Sequence, residues 1–177
     1  MDMTVIGIIL VTLVIFMALI YTMVNLYRKC GPSQALIITG AVPGGVQIVR
    51  EGGMVVFPLI NQVHTISLAV MTVKLDSDPG MLDRNKVPVH MSGTAHVKVR
   101  HEDEAIRKAA ERFVGKSEGE ITKVAQEILN GHLVAVVATM SVEEIKQCLD
   151  PLAQRVREMS FSDLDKMGLE AESLSLR

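Results

Sequence analysis

The periodicities of this chain predict an α+β domain behind an N-terminal membrane-spanning helix. Three observations carry that expectation: an apolar run at the start, strand-like spacing through the next stretch, and a switch to helical spacing that closes on one last strand.

Val5 to Leu26 is an apolar run of 22 residues without a charge, and Arg28-Lys29 follow at once. As a helix rising about 1.5 Å per residue it reaches roughly 33 Å, enough for a hydrocarbon core of about 30 Å. A cleaved secretory signal fits less well. Asp2 stands where a basic n-region belongs, the apolar stretch exceeds the usual roughly 7–15 residues, and Tyr27-Arg28-Lys29-Cys30-Gly31 offers no small-x-small cleavage site. Cys30 follows Arg28 and Lys29, not the small residues of a bacterial lipoprotein signal. Residues 1–29 are therefore expected to form the anchor, with the transmembrane helix at about 5–26, and residues 30–177 the folded domain. With no Lys or Arg before the span and Arg28-Lys29 just after it, the positive-inside rule places that domain on the cytoplasmic side of a single-pass cell-membrane protein. Tyr21 and Tyr27 suit the interface level. A re-entrant segment is the runner-up, although no central Pro or Gly pair asks for it.

Composition narrows the remaining classes. The whole chain carries a formal charge of −2, its acids and bases are interspersed, and residues 30–177 hold only the aromatics Phe57, Phe113 and Phe161. Nucleic-acid binding needs phosphate-contacting cations and usually stacking platforms, so it is not expected. Cys30 and Cys148 have no metal-type spacing and would stay reduced in a cytoplasmic domain. Cys30 is either an acylation site or an idle thiol.

From Gln34 onward the elements follow in order. Gln34 to Thr39 is an apolar strand ended by Gly40, Pro43-Gly44-Gly45 a turn, and Val46 to Arg50 a second strand. Gly52-Gly53 turns into Met54 to Phe57, stopped by Pro58. Val63 to Leu75 reads as one longer strand, and Asp76 to Asn85 as a polar loop. Val87 to Val99 alternates most clearly, with Val87, Val89, Met91, Gly93, Ala95, Val97 and Val99 on one face. The spacing then becomes helical: acids at Glu102-Asp103-Glu104 open a helix with an apolar stripe from Ala105 to Phe113. Ser117-Glu118-Gly119-Glu120 is a capping box opening a long helix to about Met140, and Ser141-Val142-Glu143-Glu144 is a second one. Asp150-Pro151 starts another helix, with Pro at the first position, running to Lys166-Met167 with Gly168 as a left-handed cap. The last strand alternates Leu169, Ala171, Ser173 and Ser175 against Glu170, Glu172, Leu174 and Leu176. Gly131, inside the long helix, costs about 1 kcal/mol against alanine, which points to close packing of that helix on the sheet.

The search for chemistry returns little. His90 and His96 share a strand face but lie about 20 Å apart at roughly 3.3 Å per residue, and His64, His101 and His132 stand alone. No H-x-x-x-H, Walker or G-x-S-x-G spacing occurs. No catalytic residue, cofactor or metal ligand is expected.

The ordered segments GPSQALIITG (31–40), GGVQIVREGGMVVFPLINQVHTISL (44–68), VPVHMSGTAHVKV (87–99), AAERFVGKSEGEI (109–121), ILNGHLVAVVATMSVEEI (128–145) and DLDKMGLEAESLSL (163–176) resemble the flotillin branch of the stomatin/prohibitin/flotillin superfamily, the SPFH or band 7 proteins. The likeness covers nearly the whole chain. It implies that residues 30–177 form an SPFH/band 7 domain and that the protein is a non-enzymatic scaffold. Such a scaffold oligomerises and organises membrane microdomains or membrane protein complexes. The partners implied are the lipid bilayer, further copies of the chain, and a membrane protease or a small membrane protein. The alternative is a regulatory subunit that binds and restrains a membrane protease or transporter. Relatives usually continue into a long Ala/Glu-rich coiled coil, and residues up to Arg177 contain no heptad seam of that kind.

The expected membrane-contacting set is Arg28 and Lys29 for anionic head groups, with Phe57, Leu59 and Ile60 on an apolar loop that either dips into the interface or forms a buried strand and turn.

Overall fold

The computed structural model describes residues 3–31, 33–40, 46–50, 52–56, 60–76 and 81–177, with the backbone alone at residues 3–6, 8, 25, 28 and 46. The chain divides into two compact units, residues 1–65 and 66–177.

The first unit opens with α1 (Met3–Leu26), 24 residues that contain the predicted apolar run. Its uninterrupted stretch of described side chains, residues 9–24, rises only about 24 Å. Among the described residues no helix is long and apolar enough to cross a membrane. The helix continues directly into β1 (Tyr27–Lys29), a strand too short for any periodicity to announce. There follow β2 (Gln34–Gly40), β3 (Val46–Val49), β4 (Gly53–Val55) and β5 (Asn61–Ser67), the last crossing into the second unit. The three-stranded order β3-β2-β5 makes β2 central, so Ala35, Leu36, Ile37 and Ile38 are all buried. That position explains the unbroken apolar run of this strand. The expected turn at Pro43-Gly44-Gly45 lies outside the described residues.

In the second unit β6 (Met71–Asp76), β7 (Ser92–Val99) and β8 (Leu169–Leu176) form an antiparallel sheet in that order. Four helices accompany it among the described residues: α2 (Asp103–Phe113), α3 (Glu118–Val137), α4 (Val142–Gln147) and α5 (Leu149–Asp165). The alternation expected for β7 is present, with Ala95, Val97 and Val99 fully buried and His96 exposed. α3 packs on β6 and α5, and α5 packs on β8. One cluster of this core joins Leu133, Val136 and Val137 of α3 to Leu152 and Val156 of α5, with Met81 and Met91 completing it.

Several boundaries differ from the sequence reading. Val63 to Leu75 is not one strand: β5 belongs with β2 and β6 with β7, and the chain breaks at 68–70, where the Ala69 N–H turns to Ser67 Oγ at 3.4 Å. β7 begins at Ser92 instead of Val87. Pro88 has no N–H to give a ladder, and residues 81–89 close on themselves through a Leu82–Pro88 bridge. α3 stops at Val137, after which Thr139 and Met140 bond three residues back, to Val136 and Val137, and tighten the turn. α5 starts at Leu149, so Pro151 is its third residue, still in the first turn where its missing N–H leaves no carbonyl unpaired. Gly168 adopts φ +72° as the expected left-handed cap, and a Cβ there would run into the Ala105 carbonyl. Gly131 overturns its expectation: it is exposed, and nothing lies within 4 Å of where its Cβ would be.

β8 departs most. Val97 pairs with Ala171 but His96 pairs with Ser173, so Glu172 is an extra residue and β8 carries a bulge. Side chains swap faces at that point. Leu169 and Ala171 point inward before the bulge, Leu174 and Leu176 after it, where they pack against the core cluster.

Candidate membrane interface

In the first unit one short ladder gathers the end of α1, the basic pair and the apolar segment. β1 runs antiparallel to β4, with Tyr27 opposite Val55, Arg28 opposite Met54 and Lys29 opposite Gly53. Two backbone bonds extend the pairing. Val56 N–H donates to the carbonyl of Leu26, the last residue of α1, at 2.9 Å, and Cys30 N–H donates to Gly52 at 2.9 Å. The segment Phe57-Pro58-Leu59 therefore begins one residue after a position bonded to the helix terminus.

Val56 is buried, whereas Tyr27 and Val55 are exposed and Ile60 is 58% exposed. Lys29 is exposed, and Arg28 is placed by its backbone alone. Phe57 and Leu59 lie outside the described residues. Of the predicted set, the structure brings Arg28 and Lys29 beside the strand that leads into the apolar segment. The sequence reading placed Val55 in an apolar loop from Met54 to Ile60 but missed its pairing with Tyr27, because β1 itself went unseen. Behind this ladder the half-buried Cys30 thiol donates to the Gln34 carbonyl at 2.9 Å and lies 3.3 Å from that of Val49.

The second unit holds its charged groups in small clusters between elements. Asp165 at the end of α5 takes Arg100 Nη1 at 2.7 Å and Lys108 Nζ at 3.3 Å. The hydrogen bond from Lys108, then the Arg100 guanidinium, holds its carboxyl below the usual range. His132 of α3 meets Asp163 of α5 at 3.0 Å, and Lys166 reaches the same carboxylate at 2.8 Å. Lys166 first, then His132, lowers Asp163. The first cluster ties α2 and the segment after β7 to α5, and the second ties α3 to α5. Among the described residues no group of three His, Cys, Asp or Glu could hold a metal ion.

Two features escaped the sequence reading. Asp83, in a loop read only as polar, is 4% exposed and accepts three backbone N–H groups. An open groove of about 510 Å³ lies where α5 meets the start of β8, lined by Lys98, Arg157, Phe161 and Glu170 among others. Nothing in the spacing of those residues signals a groove, since it arises from the packing of α5 on β8.

The chain is thus an α+β module whose leading apolar helix runs directly into a basic strand paired with β4. The chain belongs to the SPFH domain / Band 7 family, which matches residues 28–177. Within that family its likeness is to the flotillin-like branch. It is 36% identical to Flotillin-like protein FloT of Bacillus subtilis (strain 168) over 189 aligned positions, covering 100% of this chain and 37% of the relative. It is 33% identical to Flotillin-1 of Homo sapiens and 32% identical to that of Carassius auratus, each over 153 positions, 86% of this chain and 36% of the relative. The chain thus spans little more than a third of the length of the curated relatives it matches.

Proposed function

We propose that this chain is a non-enzymatic, membrane-anchored scaffold. In this reading α1 crosses the bilayer once and residues 30–177 form the SPFH domain on the cytoplasmic face. Copies associate there to organise membrane microdomains or membrane protein complexes. The observation that supports the membrane reading is the β1–β4 ladder, which ties β4 to the end of an apolar 24-residue helix. That helix, taken whole, rises about 36 Å, enough for the hydrocarbon core. Arg28 and Lys29 then sit at head-group level, and Phe57, Leu59 and Ile60 enter the interface.

The chain has no Trp, so single Phe57→Trp and Ile60→Trp variants give clean optical reporters. In proteoliposomes of the full chain, blue-shifted emission quenched by brominated lipid supports the interface assignment. Water-like emission at both positions rejects it. Light scattering on the nanodisc-embedded full chain tests assembly, a discrete oligomer being the expected result. A monomer that copurifies one to one with a membrane protease or transporter would favour the regulatory-subunit reading instead.

A further inference from the structure

The hairpin of residues 81–89 is held far more firmly than its exposed position requires. Asp83 Oδ1 accepts the N–H groups of Asn85 at 2.8 Å and Val87 at 2.7 Å, and its Oδ2 accepts that of Val142 at 3.3 Å. Backbone bonds add Val89 N–H to Met81 at 2.9 Å and Arg84 N–H to Met140 at 2.9 Å. At the tip Lys86 has φ +64°, a left-handed conformation that a residue with a Cβ rarely adopts. Neighbouring Arg84 pairs with Glu144 at 3.7 Å. Among the described residues the Lys86 ammonium has no ion-pair partner. Leu82 and Val87 flank it, 44% and 45% exposed. The result is a preorganised knob, one free cation between two aliphatic side chains.

The groove beside α5 has the opposite character. Lys98 is paired with Glu172 at 3.1 Å, Arg157 donates to the Glu172 carbonyl at 3.4 Å, and Glu158 accepts the Gln154 amide at 2.9 Å. Glu170 alone among these groups has no partner in the described residues. It lines the groove together with Phe161, 51% exposed. One unpaired carboxylate beside a half-exposed aromatic ring, over which the Arg100 guanidinium lies 5.9 Å from the centroid, complements one unpaired ammonium beside two aliphatics. Knob and groove lie at opposite ends of β7. The hairpin enters at Ser92 and the groove opens at Lys98, about 20 Å apart at 3.3 Å per residue. A rigid strand separates them, so a single copy cannot fill its own groove.

The geometry points to a head-to-tail contact between copies of this chain, in which the Lys86 tip of one copy seats in the Glu170–Phe161 groove of the next. This deepens the scaffold reading and rests on it. Such a contact uses two different patches, so it propagates into a ring or an open filament instead of stopping at a dimer. A knob in a groove is a small interface and weak on its own. Confinement by the membrane anchor raises the effective concentration at which it operates.

The test uses the full chain in proteoliposomes, as an equal mixture of isotopically light and heavy protein treated with a zero-length carbodiimide crosslinker. The expected product is a mixed-isotope Lys86–Glu170 crosslink. Energy transfer between donor- and acceptor-labelled chains in the same vesicles should fall roughly fivefold for Lys86→Glu and for Glu170→Lys, the loss of an exposed ion pair. It should return in the double swap, which also restores a crosslink of reversed polarity. Lys86→Asn suits the left-handed backbone better, so it should lose the transfer without losing thermal stability. Transfer that persists in all three single variants, with crosslinks between copies elsewhere, overturns the contact and leaves the scaffold reading standing. Absence of both transfer and mixed-isotope crosslinks in the parent chain overturns both.

Discussion

The carboxylate of Glu172, the extra residue of β8, lies 3.1 Å from the Nζ of Lys98 on the neighbouring strand. The ion pair is half in solvent and contributes little, of the order of 0–1 kcal/mol. What matters is the residue's presence. With Glu172 counted in, Leu174 and Leu176 face the core; without it they face water.

Deleting Glu172 should therefore cost about 2–4 kcal/mol, the burial of two partly buried leucines. Glu172→Gln, which keeps the bulge, should stay within about 1 kcal/mol of the parent. Thermal unfolding of the full chain in mild detergent, followed by circular dichroism, separates the two. Equal effects would mean that the charge, and not the inserted residue, sets the register.

Two glycines should respond in opposite directions. Gly131 is helical with open space around its missing side chain, so Gly131→Ala should stabilise the protein by about 1 kcal/mol. Gly168, at φ +72° against the Ala105 carbonyl, should lose more than about 1–2 kcal/mol on the same change, from backbone strain plus the collision. The same melting experiment reads both.

The contrast between these glycines marks how far the sequence was legible. Gly168 follows a helical stripe and precedes a strand, a local context that states its conformation. Gly131 carries no local sign of whether a neighbour approaches, because that depends on how α3 rolls on the sheet. The capping boxes at Ser117 and Ser141, the buried face of β7 and the order of strands and helices were readable for the first reason. The break between β5 and β6, the bulge at Glu172 and the three-residue β1 were not. Each depends on a pairing partner distant in sequence. The candidate membrane interface divides the same way: the basic pair and apolar run stand in the sequence, but their junction exists only through the β1–β4 ladder.

Acid should destabilise the fold below the ordinary carboxylate range. Ser141 N–H first, then Arg84, holds Glu144 low, and the Ser117 N–H does the same for Glu120. Asp163 and Asp165 are lowered by their lysine, histidine and arginine partners. A carboxyl depressed in the folded state binds its proton later than in the unfolded chain, so the unfolded chain holds more protons there. The contribution is complete above the unfolded value, about 4.3 for Glu, and is lost as pH falls through the folded one. Melting temperature against pH should drop through this window, less steeply in a Glu144→Gln variant. A flat profile down to pH 3 would sink the assignment.

Asp83→Ala should cost about 2–3 kcal/mol, because three backbone N–H groups lose their acceptor at a site closed to bulk water. Limited proteolysis should then cut within residues 81–91, where the parent resists. Unchanged resistance would show that the backbone bonds to Met81 and Met140 suffice.

The direct passage from α1 into β1, with Val56 bonded to the final helical carbonyl, has a mechanical meaning. No slack residues lie between the helix and the ladder, so the junction behaves as a welded bracket and not as a leash. Any rotation or lean imposed on the helix by its surroundings becomes torque on the β1–β4 ribbon. The residues most exposed to that load are the few backbone bonds between Leu26 and Cys30 and between Gly52 and Val56. A lean of the helix is thus registered as strain at that bracket.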